Sequence, residues 1–252
     1  EFKLKAEHQY VAGVNFFDRG SIFFTTKDGT EIPAANIKLG FTLSLNPNLT
    51  RGHEGLIDIY DKLSAVVPLD KEIFLIKASK QNDPYEELAK KLTAEQAEII
   101  QAAKLNGISV TRERWRSYPG ESMAAHAIGL IGYSGNELAG RYGLERYYEP
   151  LLKRSGDDVF VNFFAEIFSN IKAVVKDEQK EGDIVTTIEP SVEAFLESEL
   201  KKVNERYSSD FTGGIVIDPS TGEIVGMALN PTFDPNNPQN ESGSAVFSNI
   251  LV

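Results

Sequence analysis

No cysteine occurs in these 252 residues, and histidine appears only three times, at His8, His53 and His126. The first absence excludes disulfide staples, thiolate zinc sites, iron–sulfur clusters and cysteine nucleophiles. The second leaves no ligand-like spacing, so no metal and no cofactor is expected. Positive charge is short as well: 26 Lys+Arg stand against 37 Asp+Glu, a net charge of −11. An acidic surface repels phosphate backbones and anionic lipid heads, which argues against nucleic-acid binding and electrostatic membrane docking. No run approaches the ~20 continuous apolar residues of a membrane-spanning helix. The most apolar stretch, 158–175, is broken by Asn162, Glu166, Asn170 and Lys172. Phosphate-cradling glycine motifs are missing. So is a Gly-x-Ser-x-Gly elbow, which Gly132-Tyr133-Ser134-Gly135 misses by one position.

What is present is a chain that is 41% hydrophobic, enough to bury a core. Residues 8–37 are rich in aromatic and β-branched side chains around Lys27-Asp28-Gly29-Thr30, which predicts a β-hairpin. A short helix is expected near Glu54–Leu63. Asp83-Pro84 followed by Tyr85–Leu92 reads as an N-capped helix. Thr93-Ala94-Glu95-Gln96 has the pattern of a capping box, with Gly107 expected to end the helix that follows. Ile108–Trp115 alternates like a strand, and Met123–Leu130 is an apolar helical patch. Phe160, Phe163, Phe164, Ile167, Phe168 and Ile171 fall on one helical face, expected to pack in a core or between domains, with a membrane-adjacent docking element as the weaker alternative. The charged stretch 176–183 is the best boundary candidate. Beyond it, residues 185–188 predict a short strand and Pro190 a helix start. Val192, Phe195, Leu196, Leu200 and Val203 make its apolar stripe. Residues 213–217 and 224–229 then form a hairpin around Asp218-Pro219-Ser220-Thr221-Gly222-Glu223.

Taken residue by residue, no active site emerges. Ser-x-x-Lys occurs twice, at Ser169–Lys172 and Ser198–Lys201, but 18 serines and 17 lysines place about one such pair by chance. Both pairs fall inside expected helices, whereas an activated serine needs a helix start with the lysine one turn on. Ser134-Gly135-Asn136 precedes both, and no Lys-Thr-Gly follows. His126, flanked by small apolar residues, reads as a buried structural histidine. Trp115 between Arg114 and Arg116 fits an alternating strand as well as an interaction patch. Asp157-Asp158 and Glu178, Glu181 and Asp183 read as solvated loops.

Five segments, in order, resemble the class B penicillin-binding proteins. Arg19-Gly20-Ser21-Ile22 with Asp28-Gly29 is similar to an Arg-Gly-x-Ile element near the start of that family's pedestal, although Phe23-Phe24-Thr25-Thr26 departs from it. Tyr118-Pro119 followed by Ala124-Ala125-His126-Ala127-Ile128-Gly129 resembles the Y-P and A-A-H-x-x-G stretch. Gly143-Leu144-Glu145, Tyr148-Glu149 and Leu152 resemble G-L-E-x-x-Y-E-x-x-L. Thr187-Ile188-Glu189 is similar to T-I-D at the entry to the transpeptidase domain, with Glu for Asp. The run Gly214–Ala228, carrying Asp218 and Gly222, resembles that domain's first hairpin, and Asn230–Asn236 the loop after it.

The resemblance implies an α+β fold: an elongated non-catalytic pedestal or dimerisation domain over 1–182, then over 183–252 the truncated start of a β-lactamase/transpeptidase-like α/β domain. It implies a parent D,D-transpeptidase whose serine attacks the D-Ala-D-Ala bond of a peptidoglycan stem peptide and is acylated by penicillins. The catalytic Ser-x-x-Lys is expected after Val252 and a membrane anchor before Phe2, placing the parent on the extracytoplasmic face of a bacterial membrane. By itself this stretch is expected to be inactive and to position the catalytic domain. An alternative reading is an interaction or scaffold module of the wall-synthesis machinery. Implied partners are a SEDS-type glycan polymerase and other wall-synthesis proteins. The residues carrying the motifs are Arg19, Gly20, Tyr118, Pro119, His126, Gly129, Gly143, Leu144, Glu145, Asp218 and Gly222, all in structural or interaction roles.

Overall fold

The structure is a computed structural model that describes residues 18–50, 55–134, 137–154, 182–238, 244–247 and 249–251. The Phe-rich face at 160–171, the Ser169–Lys172 pair and most of the charged stretch 176–183 lie outside the described residues. In chain order the elements are β1 (Ile22–Thr25), β2 (Glu31–Leu45), α1 (Pro47–Thr50), α2 (Leu56–Ser64), α3 (Lys71–Ala78), β3 (Glu86–Leu92), α4 (Ala94–Ala102) and β4 (Ile108–Ser117). There follow α5 (Ala125–Ile128), β5 (Ile131–Ser134), β6 (Glu137–Gly140), α6 (Gly143–Tyr147), α7 (Glu149–Leu152) and β7 (Ile184–Val185). The last are α8 (Pro190–Tyr207), β8 (Thr212–Ile217), β9 (Ile224–Asn230) and a 3-10 turn at Ser244–Phe247. Helices and strands are mixed throughout. The chain divides into two compact units, one of residues 1–37 and 116–252, the other of residues 38–115.

In the 38–115 unit, the second half of β2 pairs antiparallel with β3, from Phe41 opposite Leu92 to Leu45 opposite Glu86. Leu43, Leu45, Ile59, Leu63, Phe74 and Ile100 form its core. The capping box is present: the Thr93 side chain accepts from the Gln96 N–H, and Gln96 reaches back to the Thr93 N–H. Two expectations fail here. Residues 86–92 are a strand, not a helix, because pairing with β2 outweighs the helix preference of Glu, Leu, Ala and Lys. Asp83 accordingly closes a local turn onto the Tyr85 N–H at 2.9 Å instead of capping a helix. The following helix stops at Ala102, well before Gly107; that glycine, at φ +72°, turns the chain into β4 and gives its carbonyl to the Asn46 N–H.

In the other unit, β1 pairs antiparallel with the first half of β2 around the Asp28-Gly29 turn and parallel with β7. Ile22, Phe24, Ala35, Tyr118, Ile128, Leu152 and Ile184 pack together as its main core. Pro190 stands in the first turn of α8, whose N-cap Glu189 accepts from the Val192 N–H. The helix lies on the β8–β9 hairpin where the strands are smallest. A Cβ on Gly214 would meet Leu196 at 3.1 Å, and one on Gly226 would meet Val192 at 3.4 Å. Of the expected stripe, Phe195 and Val203 are exposed, because the two-stranded hairpin is too narrow to cover them.

Candidate functional site

Glu145, the third residue of α6, has no exposed surface and collects two guanidinium groups. Its Oε2 accepts from Arg19 Nε at 2.6 Å and its Oε1 from Arg116 Nε at 2.7 Å. The Tyr118 hydroxyl donates to the same Oε1 at 3.2 Å and accepts from the Ile131 N–H at 3.0 Å. Arg19 further donates through Nη2 to the Glu145 carbonyl and to Glu149 Oε2, each at 2.7 Å. Arg116 Nη1 donates to the Gly20 carbonyl at 2.7 Å, while its Nη2 is buried without a partner. Two guanidiniums face two carboxylates, so the buried charge is balanced, the condition under which such a cluster is tolerated. Burial and the Glu145 charge drive the Tyr118 phenol far above its ordinary range, so it acts as a neutral donor. Burial would raise Glu149, but hydrogen bonds from Arg19 and the Gly140 N–H hold it below the usual range.

The glycines of the same motifs make the close approaches that seat these side chains. Gly20, beside Arg19, leaves room for the Gly182 carbonyl, and its N–H bonds Leu152 O at 2.8 Å. Gly129 (φ +79°) and Gly143 (φ +57°) back onto each other at the start of α6, a conformation that L side chains resist. Leu144 packs against the main core. Pro119 is exposed at the turn after Tyr118.

A second arrangement ties the 118–128 segment to the loop after β9. Asn236 pairs with the backbone of Tyr118 like a short strand, its Oδ1 accepting from the N–H at 3.0 Å and its Nδ2 donating to the carbonyl at 2.9 Å. Phe233 is buried with its ring edge-on to His126, centroids 5.1 Å apart. His126 is buried, with Nε2 2.8 Å from the Val246 carbonyl, and burial pushes its pKa down. Its ring meets Phe233 and the Val246 carbonyl, an arrangement that suits a buried, neutral histidine. Beside it lies a mainly apolar cavity of about 580 Å³, walled by Leu144, Tyr147, Tyr148, Val185 and Met227.

The motif residues therefore fall into three places. Arg19, Gly20, Tyr118, Gly129, Gly143, Leu144 and Glu145 come together, and His126 stands close by on α5. Asp218 and Gly222 are apart from them in the exposed hairpin turn. There Asp218 accepts from the Ser220 N–H at 2.7 Å and Gly222 takes φ +79°. Hydrogen bonds from Ser220 hold the Asp218 carboxyl low. Ser198 is exposed in the interior of α8, so Ser198–Lys201 lacks the helix-start geometry of an activated serine. Among the described residues there is no metal-ligating cluster and no helix long and apolar enough to cross a membrane.

Sequence reasoning missed Arg116, Glu149, Asn236 and Glu193 as site-forming residues. Arg116 had a signal: near the end of β4 it sits two residues before the motif tyrosine Tyr118, and both are buried. Glu193 lies seven residues before Leu200, on the apolar side of α8.

Residues 18–187 match the model of a family described as the penicillin-binding protein dimerisation domain. The chain is 30% identical to stage V sporulation protein D of Bacillus subtilis over 167 residues, 65% of this chain and 25% of that protein. It is 25% identical over 190 residues to the peptidoglycan D,D-transpeptidase FtsI of Escherichia coli, covering 73% of this chain and 31% of that one. Its fold is similar to the crystal structure of penicillin binding protein 2X from Streptococcus thermophilus, with a TM-score of 0.59 at 17% identity, over 91% of this chain and 37% of the other. The match thus spans a quarter to a third of the length of the two curated relatives.

Proposed function

Because this chain belongs to the penicillin-binding protein dimerisation domain family, we propose that it is the non-catalytic pedestal of a class B D,D-transpeptidase together with the opening of the catalytic domain. Residues 1–182 form the pedestal and 183–252 begin the transpeptidase domain. The enzyme of which it is part cross-links peptidoglycan stem peptides on the extracytoplasmic face of the membrane, held there by an anchor outside this sequence. The acylating serine also belongs to sequence outside this chain. The pedestal contacts a SEDS-type glycan polymerase and other wall-synthesis proteins.

The observation that carries this reading is the Arg19–Glu145–Arg116 cluster. The side chains of Arg19, Glu145 and Arg116 are buried and bonded to one another and to the Gly20 and Glu145 carbonyls, and the half-buried Glu149 is held by Arg19 and the Gly140 N–H. A catalytic constellation leaves at least one nucleophile or proton carrier open to substrate, and this one leaves none. Arg19, Gly20, Tyr118, Gly129, Gly143, Leu144 and Glu145 act here as positioning residues. The α8–β8–β9 layer supports the assignment of 183–252: the outer strand β8 keeps Ile215, Val216 and Ile217 exposed, as an unfinished sheet would.

Two measurements test it. Intact mass after incubation with excess penicillin is expected to be unchanged, and an adduct on Ser198 or Ser169 overturns the non-catalytic reading. Purified in detergent, a SEDS-type polymerase is expected to retain this chain on a column; failure to bind, with the chain folded by circular dichroism, overturns the partner assignment.

A further inference from the structure

Glu193, near the start of α8, has no exposed surface and faces β9. Its Oε2 accepts the Met227 N–H at 2.7 Å, while Oε1 is buried with no hydrogen-bond partner. A Cβ on Gly226 would lie 3.3 Å from Oε2, so the carboxyl is seated directly on the strand. One helical turn on, Glu197 accepts the Ala124 N–H at 2.9 Å, at a residue with φ +50°. One face of α8 thus holds both β9 and the turn leading into α5.

Among the described residues, the elements packed around it offer no compensating charge. Neither β8 nor β9 carries an ionisable side chain, nor do the described residues between 244 and 251. On the α5 side, His126 is turned to the Val246 carbonyl and Glu121 is exposed. Glu189, on the approach to α8, is spent on the Val192 N–H. The charge that reaches Glu193 is that of Glu197, which has the same sign. Ionised, Glu193 would put charge on an oxygen that nothing donates to. As an acid, it keeps Oε2 as acceptor for Met227 and carries its proton on Oε1, a much smaller burial cost.

We propose that Glu193 is held as the neutral acid and, with Glu197, forms a proton-dependent latch that fastens α8 to β9 and to the Ala124 turn. Burial lifts Glu193 from its ordinary 4.5 to about 7, against the Met227 N–H and with the help of Glu197. Burial lifts Glu197 as well, against the Ala124 N–H. Both folded-state values lie above the unfolded ones. The latch therefore contributes fully below the ordinary glutamate range and is lost as pH rises through neutrality. The inference rests on α8, β9 and the Ala124 turn alone and does not depend on the function proposed above.

Thermal unfolding of the chain from pH 5 to 8.5, alongside Glu193→Gln and Glu197→Gln, tests it. Glutamine keeps an acceptor for Met227 but cannot ionise. Relative to Glu193→Gln, the unmodified chain should lose stability across neutral pH, with the unfolding constant rising by up to roughly a hundredfold. Parallel profiles for the two proteins overturn the proposal. Should Glu193→Gln fail to fold, infrared spectroscopy of the unmodified chain decides. A protonated-carboxyl band that disappears near neutrality, and shifts in Glu197→Gln, is the expected result. No such band at pH 6 overturns it.

Discussion

A Cβ on Gly143 would stand 2.6 Å from the amide nitrogen of Gly129, and 2.5 Å from the Ala127 carbonyl oxygen. The two glycines occupy one another's side-chain space, both at positive φ. This pairing sets where α6 starts and therefore where Glu145 meets its arginines. Gly143→Ala combines a strained backbone with a clash against backbone atoms that cannot step aside. It should cost ~3 kcal/mol or more, or prevent folding. Gly222→Ala, also at positive φ but with open space around it, should cost only about 1 kcal/mol. Urea denaturation of the two variants checks the contrast, and equal midpoints would show that the close approach is not what matters.

Glu145→Gln keeps the shape of the side chain and removes its charge. Arg19 retains Glu149, but Arg116 is left with a buried charge and no carboxylate. Breaking a buried pair from one side costs roughly 3–5 kcal/mol, whereas removing an exposed helical pair such as Lys62–Asp58 costs ~0.5 kcal/mol or less. Replacing Arg116 by Met together with Glu145→Gln should recover part of the loss, since no net charge is then stranded opposite the altered site. A double-mutant cycle by chemical denaturation measures the coupling, expected to exceed about 1 kcal/mol.

What could be read from the sequence follows the range of the interaction. The Thr93–Gln96 box and the Asp218–Gly222 turn close within a few residues, and their side chains declare the geometry locally. The strand at 86–92 could not be read this way, because its partner on β2 lies more than forty residues earlier in the chain, at 41–45. The buried cluster was half legible. Arg19 and Glu145 stand out by their motifs, but they are 126 positions apart and nothing local announces their contact. Glu193 was hidden for another reason: a carboxyl on an amphipathic helix ordinarily marks the solvated side, and here it marks the packed one.

Asn236→Asp should separate hydrogen bonding from shape. The new carboxylate still accepts from the Tyr118 N–H but sets a bare oxygen against the Tyr118 carbonyl and beside Asp234 Oδ1. We expect a loss of about 2 kcal/mol at neutral pH, shrinking in acid as the carboxyl protonates and regains a donor. A pH-independent loss would point to altered loop geometry instead.

Glu149 predicts an acid limb opposite in sign to the behaviour of Glu193. Its folded-state pKa lies below the ordinary value of 4.5, because Arg19 and the Gly140 N–H favour the charged form over the opposing effect of burial. An acid lowered in the folded state contributes stability above its unfolded pKa and loses it as pH falls through the folded value. The loss is aggravated because protonation takes one carboxylate from Arg19, whose side chain is almost fully buried. Glu149→Gln should therefore be less stable than the unmodified chain at pH 6 and should converge with it once pH has fallen through the lowered folded-state value. Melting temperatures at intervals between those limits measure the convergence. Curves that remain parallel into acid would mean that Glu149 holds Arg19 by packing and not by charge.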